Sequence, residues 1–414
     1  MDEKKSNVPD ASAFTLHCES DHFSAESQRI YDFLVNRVIG QDRAAERLAR
    51  GLAIHRAGLK SPIKPIITVV FSGPTGVGKT LMAEELARCL IADVPDAPLT
   101  MVDCTTLTEH HQLSQIIGSP PGYVGYSDTP LLDQLKIDDF AFKAKMEAEI
   151  RRNRELRERI RRSGDLNKLT AQLYEEFGPF TSVVLLDEIE KAHPSFHTAT
   201  LNMVDKAKLT MGNGLITSFT QTIFVLTCNI GGQDVMKILS GKTGVVGFSA
   251  PKEAKDEVEA RDRAIYQQTI ARIRQFFPPE FIGRVKANII VFRSLDRQSC
   301  AKVLDLLLNK VQSRMIGPHA TSIPVRIYYE DAFKEFLLDE GVSLEYGLRE
   351  LEQVVEKYVT LALSNVIDSK IVLPGDEITF RMVDGKPKIY KIPRPPAPPR
   401  RVLIPPAKPD SGLS

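Results

Sequence analysis

Eight residues, Gly73-Pro74-Thr75-Gly76-Val77-Gly78-Lys79-Thr80, have the types and spacing that phosphate chemistry requires. They fit G-x-x-x-x-G-K-[ST], the phosphate-binding P-loop pattern. Glycines let a backbone wrap closely round a phosphate chain and aim consecutive N–H groups at it. The start of the following helix adds positive dipole, and Lys79 can reach the β- and γ-phosphates. The Thr80 hydroxyl can ligate Mg2+. The phosphate cradle therefore comprises Thr75, Gly76, Val77, Gly78, Lys79, Thr80 and Leu81. A second constellation, Asp187-Glu188, supplies what magnesium-dependent hydrolysis needs. One carboxylate can hold the metal and the other can orient and deprotonate the attacking water. Asn229 can position that water by hydrogen bonding, or it caps a strand end.

These groups must be carried by a sheet. The apolar run Ile66–Phe71 precedes the glycine-rich turn and Leu81–Arg88 follows it as a good helix former, giving strand, turn, helix. Ser182–Leu186 ends in Asp187-Glu188, and Thr222–Thr227 ends in Cys228-Asn229. Near-continuous β-branched runs with polar residues at their C-terminal ends fit buried parallel strands, and ligands of such sheets bind at those ends. The fold class is α/β, a parallel sheet between helices, followed by a smaller, mainly helical C-terminal domain.

The 414 residues suffice for two or three domains. Lys+Arg 54 against Asp+Glu 53 gives +1, with no global pull towards nucleic acid or an anionic membrane. Cys18, Cys89, Cys104, Cys228 and Cys300 are scattered without metal-type spacing, which fits a reducing compartment. The N-terminus lacks an apolar h-region and no apolar run is long enough to span a bilayer, so the expected location is cytoplasmic.

Residues 1–27 read as a disordered lead-in, 28–294 as the P-loop ATPase domain, 295–392 as a small helical domain with short strands, and 393–414 as a Pro-rich tail. In the first domain, helices are expected from Gln28 and through about Ala57, and the stretch Gly118–Tyr126 is a loop because of its Pro and Gly. Residues 135–176 are rich in Lys, Arg and Glu, with apolar residues at Phe142, Met146, Ile150, Leu156 and Ile160. Glu147/Arg151, Glu155/Arg159 and Glu158/Arg162 are i,i+4 pairs. This predicts a long amphipathic helix or a helical hairpin broken near Ser163-Gly164, serving as a solvated insertion or a partner-binding arm. In the small domain, helices are expected over Ala301–Val311, Tyr329–Leu338 and Leu348–Val366, with strands around Glu377–Met382.

Six motifs in order, GPTGVGKT, IIGSPPGYVGY, VVLLDEIEKAH, TCNIGG, FPPEFIGRV and YGLRELEQ, make residues from about Val38 to Asp376 resemble the second ATPase module of Clp-family AAA+ unfoldases and disaggregases. The opening VIGQDRAAERLARGLAIHRAGLK resembles that family's entry to the module. The resemblance implies ATP hydrolysis and polypeptide threading by a ring, a hexamer. It implies an adenine pocket at Val38 and Ile39 and a sensor role for Asn229. It further implies a nucleotide-sensing role for Arg349, and for Arg284 the role of an arginine finger offered to the neighbouring subunit. Tyr123, with Val124, matches the pore-loop aromatic that grips an unfolded protein substrate. Val246-Gly247-Phe248 resembles the tripeptide that docks peptidase-coupled members onto a Clp-type peptidase.

The sequence also departs from the family. Lys208–Phe219 lacks the charged residues of the usual second pore loop, Val285-Lys286 replaces the common Ile-Asp, and the insertion at 135–176 is foreign to the pattern. Rival readings are a specialised adaptor or scaffold ATPase acting on one dedicated partner, a regulatory subunit feeding a peptidase, and a nucleic-acid AAA+ motor. The balanced charge and the Gly-Tyr-Val-Gly loop stand against the last.

Overall fold

The computed structural model describes residues 23–93, 96–122, 129–231, 255–285, 288–316, 324–342 and 348–392. The chain forms two compact units, Met1–Leu295 and Asp296–Ser414.

The first unit is built on a five-stranded sheet. Its strands are β1 (Ile67–Ser72), β2 (Thr100–Asp103), β3 (Ser182–Asp187), β6 (Thr222–Cys228) and β7 (Ile289–Val291). Their order is β2-β3-β6-β1-β7, and every pairing is parallel. Parallel strands need crossover helices, which cover both faces of such a sheet. Alternate residues therefore enter two cores. Val69, Phe71, Val183, Leu185, Ile223 and Val225 join one, while Val70, Val184, Leu186, Phe224 and Leu226 join the other.

The first core is closed by α1 (Ala25–Arg37), α2 (Asp42–Arg56) and α3 (Lys79–Leu90). Helix α1 starts where Ser24 turns the chain and accepts a hydrogen bond from the Ser27 amide at 3.2 Å. Its Ile30 and Leu34, one turn apart, are both fully buried. Each buried side chain of this size stabilises the fold by about 1.5–3 kcal/mol. The second core takes residues from α8 (Pro194–Lys206), α9 (Lys255–Phe276) and α10 (Pro279–Val285), including Phe196, Met203, Ile273 and Phe281. A short helix, α4 (Ser114–Ile117), precedes the Gly118–Gly122 loop.

Residues 134–177 form three helices, α5 (Gln134–Arg152), α6 (Arg154–Arg162) and α7 (Leu166–Phe177), rather than one helix or a hairpin. The break near Ser163 is present, and an additional one falls at Asn153. There Asn153 caps α6, accepting from the Leu156 amide at 3.2 Å. Met146, Leu156, Leu169 and Leu173 give these helices a small core of their own. Two expected ion pairs form, Glu147–Arg151 and Glu158–Arg162. The third does not, because α7 brings Glu176 to 2.7 Å from Arg159, and a folded-back neighbour outcompetes the i,i+4 partner Glu155.

The stretch Lys208–Phe219, which corresponds by resemblance to the family's second pore loop, contains a hairpin, β4 (Lys208–Thr210) with β5 (Ile216–Ser218). Three-residue strands leave too little alternation to register in a sequence pattern. Gly212 is fixed by approach: a Cβ there would lie 2.3 Å from the Gly118 carbonyl oxygen, and its amide donates to Ile117 at 2.6 Å.

The second unit comprises α11 (Arg297–Ile316), α12 (Asp331–Gly341), α13 (Leu348–Val355), α14 (Leu361–Asp368) and a three-stranded sheet. A π turn over Glu356–Thr360 joins α13 to α14. The sheet, in order β10-β9-β8, consists of β8 (Arg326–Tyr329), β9 (Glu377–Val383) and β10 (Lys386–Ile392). Tyr329 ends a strand instead of starting a helix, its ring stacked on Phe380 of β9 with centroids 5.4 Å apart.

Candidate active site

Strand register gathers the site. β6 lies between β3 and β1. Ser72 of β1 pairs with Cys228, and Leu186 of β3 pairs with Leu226. The three C-terminal ends therefore deliver the P-loop, Asn229 and the acidic pair to one edge, as the sequence pattern predicts.

The P-loop runs from β1 into α3. Gly78, with φ 93°, occupies the position just before that helix, a conformation that L side chains seldom adopt. A Cβ there would also meet Val38 Cγ1 at 3.2 Å. Val38 is thus packed beside the loop, buried, with Ile39 half-buried next to it. Thr75 and Gly76 are partly open, Val77 is buried, and Leu81 is exposed on the first turn of α3.

Lys79 is 8% exposed. Its Nζ donates to the carbonyls of Gly73 at 2.8 Å and Pro74 at 2.6 Å, and to Asn229 Oδ1 at 2.9 Å. Burial pushes the ammonium down to about 8, against the opposing pull of Cys228, Glu190, Asp187 and Glu188. The group is consequently poised and desolvated, so a phosphate oxygen offered to it would meet an ammonium already stripped of water.

Thr80 Oγ1 lies 3.2 Å from Asp187 Oδ1, donating to it. Thr227 also donates to that oxygen, and its own hydroxyl accepts from the Glu188 amide at 2.9 Å. A hydroxyl and a carboxylate in contact are the hard oxygen donors that suit magnesium, which takes one or two carboxylates and completes its shell with phosphates and water. Among the described residues no cluster of three or more His, Cys, Asp or Glu could hold a metal by itself.

Glu188 has left-handed backbone, φ 53° and ψ 50°. A non-glycine residue held there carries strain of about 1–3 kcal/mol, and such residues concentrate at functional sites. Asn229 Nδ2 donates to Glu188 Oε1 at 3.0 Å, so one amide side chain spans Lys79 and Glu188. The Asn229 amide in turn donates to Glu190 Oε1 at 3.0 Å. Burial raises the Glu190 carboxyl, and its other oxygen is buried without a hydrogen-bond partner.

Three supporting residues escape sequence reasoning. Gln41 donates to the carbonyls of Val77 at 3.2 Å and Arg293 at 3.0 Å, pinning the P-loop to the start of α2 and to the end of β7. Thr227 and Glu190 brace Asp187, Glu188 and Asn229. Thr227 hides in an apolar strand and Glu190 resembles any turn glutamate; the only signal either gives is proximity to a motif.

Arg284, on α10, is half-exposed and lies 3.3 Å from Asp205 of α8, which Lys64 also approaches at 3.8 Å. Arg349 is exposed on α13, in the second unit. Tyr123, Val124, Val246, Gly247 and Phe248 lie outside the described residues.

A family model described as "AAA domain (Cdc48 subfamily)" matches residues 64–141 and 144–288, more than half of the chain. A second, the "C-terminal, D2-small domain, of ClpB protein", matches residues 295–380. The chain belongs to the Clp family of AAA+ ATPases. Among Clp-family relatives, it is 31% identical over 355 residues to the negative regulator of genetic competence ClpC/MecB of Bacillus subtilis, covering 86% of this chain and 37% of that protein. It is 31% identical over 370 residues to the ATP-dependent Clp protease ATP-binding subunit ClpC of Staphylococcus epidermidis, covering 89% and 38%. The chain thus spans under two-fifths of the length of these relatives. Its fold is similar to that of Hsp104, seen in a closed-state cryo-EM reconstruction with ATPyS and FITC casein. That match has a TM-score of 0.63 at 24% identity and covers 88% of this chain and 52% of that one. Membership implies that the chain binds nucleotide. Among the described residues no helix is long and apolar enough to cross a membrane.

Proposed function

We propose that the chain is an ATP-hydrolysing subunit of an AAA+ ring that unfolds or remodels proteins by threading them. The observation that carries this reading is Asn229, hydrogen-bonded to both Lys79 and Glu188. It couples the phosphate-binding half of the site to the carboxylate that can act on water. In this mechanism Lys79 exchanges the Gly73 and Pro74 carbonyls for phosphate oxygens. Thr80 and Asp187 would hold Mg2+, which would supply neutralising charge for the phosphates. Glu188 orients the attacking water and takes its proton, with Asn229 fixing the direction of the carboxylate. Val38 and Ile39 face the adenine.

Arg284 supplies the finger to the next subunit and Arg349 reports nucleotide state. Arginine suits both tasks because its charge is permanent and its planar fork matches phosphate oxygens. Arg284 has little to do within its own subunit beyond a half-exposed ion pair with Asp205, a contact worth roughly 0–1 kcal/mol. A finger acting in trans implies a ring, by family analogy a hexamer. Tyr123 and Val124 would grip the unfolded polypeptide. Val246, Gly247 and Phe248 would dock a Clp-type peptidase if the subunit feeds one. The scattered free thiols Cys89, Cys104, Cys228 and Cys300 agree with a cytoplasmic location.

The test is ATP-dependent unfolding of a tagged, stably folded fluorescent reporter, with complex size measured in ATP. A ring-sized complex that unfolds the reporter, with Tyr123→Ala losing unfolding but keeping hydrolysis, supports the reading. Unchanged unfolding by Tyr123→Ala contradicts threading. A second reading, an adaptor ATPase devoted to one partner, is favoured by the separately cored α5–α7 insertion. Deleting residues 135–176 separates the two, because retained general unfolding excludes a partner-only role.

A further inference from the structure

The α5–α7 insertion sorts its charges in a way that folding does not require. Its interior is apolar, made by Met146, Leu156, Leu169 and Leu173, with Ile150 and Ile160 packed against them. Residues 151–162, Arg-Arg-Asn-Arg-Glu-Leu-Arg-Glu-Arg-Ile-Arg-Arg, hold seven arginines against two glutamates, a net +5 on a chain whose total is +1. Arg159 turns to Glu176 of α7, and Glu158 is shared by Arg154 at 3.5 Å and Arg162 at 3.2 Å. That exhausts the local carboxylates that engage the arginines of α6. Arg157 and Arg161 are exposed and, among the described residues, have no ion-pair partner.

Helical geometry puts Arg154, Arg157 and Arg161 on one face, at i, i+3 and i+7, away from the buried Leu156. An isolated solvated arm would gain by balancing these charges, since like charges one turn apart repel by a few tenths of a kcal/mol. Arg154 shares Glu158 with Arg162, whereas Arg157 and Arg161 of this stripe have no counter-charge among the described residues.

We infer that this face of α6 is a docking site for an acidic, extended polypeptide segment of a partner protein. Arg157 and Arg161 are separated by four residues, about 6 Å along the helix axis. Carboxylates two residues apart on an extended chain project from the same side about 6.6–6.8 Å apart. One fully extended segment of three or four residues thus reaches about 10–14 Å, the length of the stripe from Arg154 to Arg161. Arginine forks donate pairs of parallel hydrogen bonds to carboxylates. A nucleic acid fits less well. No aromatic interleaves the arginines of α6 for base stacking, and Glu155 and Glu158 interrupt the positive run that a continuous polyanion would follow.

The inference does not depend on ATP hydrolysis, and its test can be run on the full chain, either unmodified or carrying the substitution Glu188→Gln. A fluorescein-labelled twelve-residue peptide with Glu at alternate positions is titrated with protein at 50 mM and 300 mM KCl, followed by anisotropy. A Gln-for-Glu peptide and a twelve-nucleotide oligothymidylate serve as competitors. The expected result is saturable binding of the acidic peptide, at least about tenfold weaker at the higher salt. The variant Arg154→Glu/Arg157→Glu/Arg161→Glu should lose binding at least about tenfold, with ATPase rate and circular dichroism unchanged. If that variant misfolds, Arg157→Gln/Arg161→Gln gives the same reading by neutralisation. No binding of the acidic peptide, equal binding by the variants, or preferred binding of the oligonucleotide would each overturn the inference.

Discussion

Asn229 holds Glu188 and Lys79 with the two ends of one amide, donating to the carboxylate at 3.0 Å and accepting from the ammonium at 2.9 Å. Neither an apolar cap nor a shorter side chain reproduces that bridge. Replacing Asn229 with Ala leaves Glu188 without its orienting donor. The expected outcome is a fall in kcat for ATP of about 10²-fold, the size of a lost positioning contact in acid–base catalysis. Nucleotide affinity, measured by fluorescent nucleotide titration, should change by less than about fivefold, because the P-loop amides remain.

Lys79 provides a pH signature. Its folded-state value, about 8, lies below its ordinary 10.5 because burial penalises the charged form. Between those values the unfolded chain binds more protons than the folded one, so the contribution of this group to stability rises with pH across that window. Below about pH 8 both states are protonated and the burial penalty is fully present. Relative to Lys79→Met, the unmodified protein should therefore gain stability in urea titrations between about pH 8 and 10. Nucleotide binding should show the opposite trend, weakening above about pH 8 as the ammonium is lost.

Arg284 is predicted to act on a neighbouring subunit. Arg284→Ala alone should hydrolyse ATP at least about tenfold more slowly, since removing an arginine finger costs up to about 10³–10⁵ in other phosphoryl-transfer systems. Mixing Arg284→Ala subunits with Glu188→Gln subunits should restore part of the rate, because some interfaces then pair an intact base with an intact finger. Asp205→Ala should leave assembly and hydrolysis within about twofold, as exposed ion pairs contribute little.

The insertion is fastened at its base by Asp138, which is buried and accepts from the Tyr174 hydroxyl and from Gln134 Nε2, the latter at 2.8 Å. Gln134 Oε1 in turn accepts from the Ser218 amide at 2.8 Å, tying α5 to β5. Asp138→Ala strands the tyrosine hydroxyl in a half-buried site. It should cost about 1–3 kcal/mol locally. Hydrogen exchange should rise in α5 and α7, with the amides of α3 and β6 unaffected.

Local chemistry explains what was legible in the sequence. The P-loop, Asp187-Glu188 and Asn229 announce themselves because each sits at the end of a buried strand, and strand order alone brings those ends together. Gln41 and Thr227 do not, because their partners lie far off in sequence: Val77 and Arg293 for the first, Asp187 and Glu188 for the second. The β4–β5 hairpin was hidden by strands too short for a period to show, with Gly212-Asn213-Gly214 between them. The Glu155/Arg159 pair failed because helix spacing says which residues can meet, whereas the return of α7 decides that Arg159 meets Glu176.

The central claim is that Glu188, held by Asn229, is the group that activates water. The direct measurement is the steady-state ATPase rate of Glu188→Gln beside its nucleotide affinity. Glutamine keeps the shape and can still accept from Asn229, but it cannot take a proton. A rate at least about 10²-fold below that of the unmodified protein, with affinity within about threefold, is the expected result. Hydrolysis within about twofold of the unmodified rate would contradict the assignment.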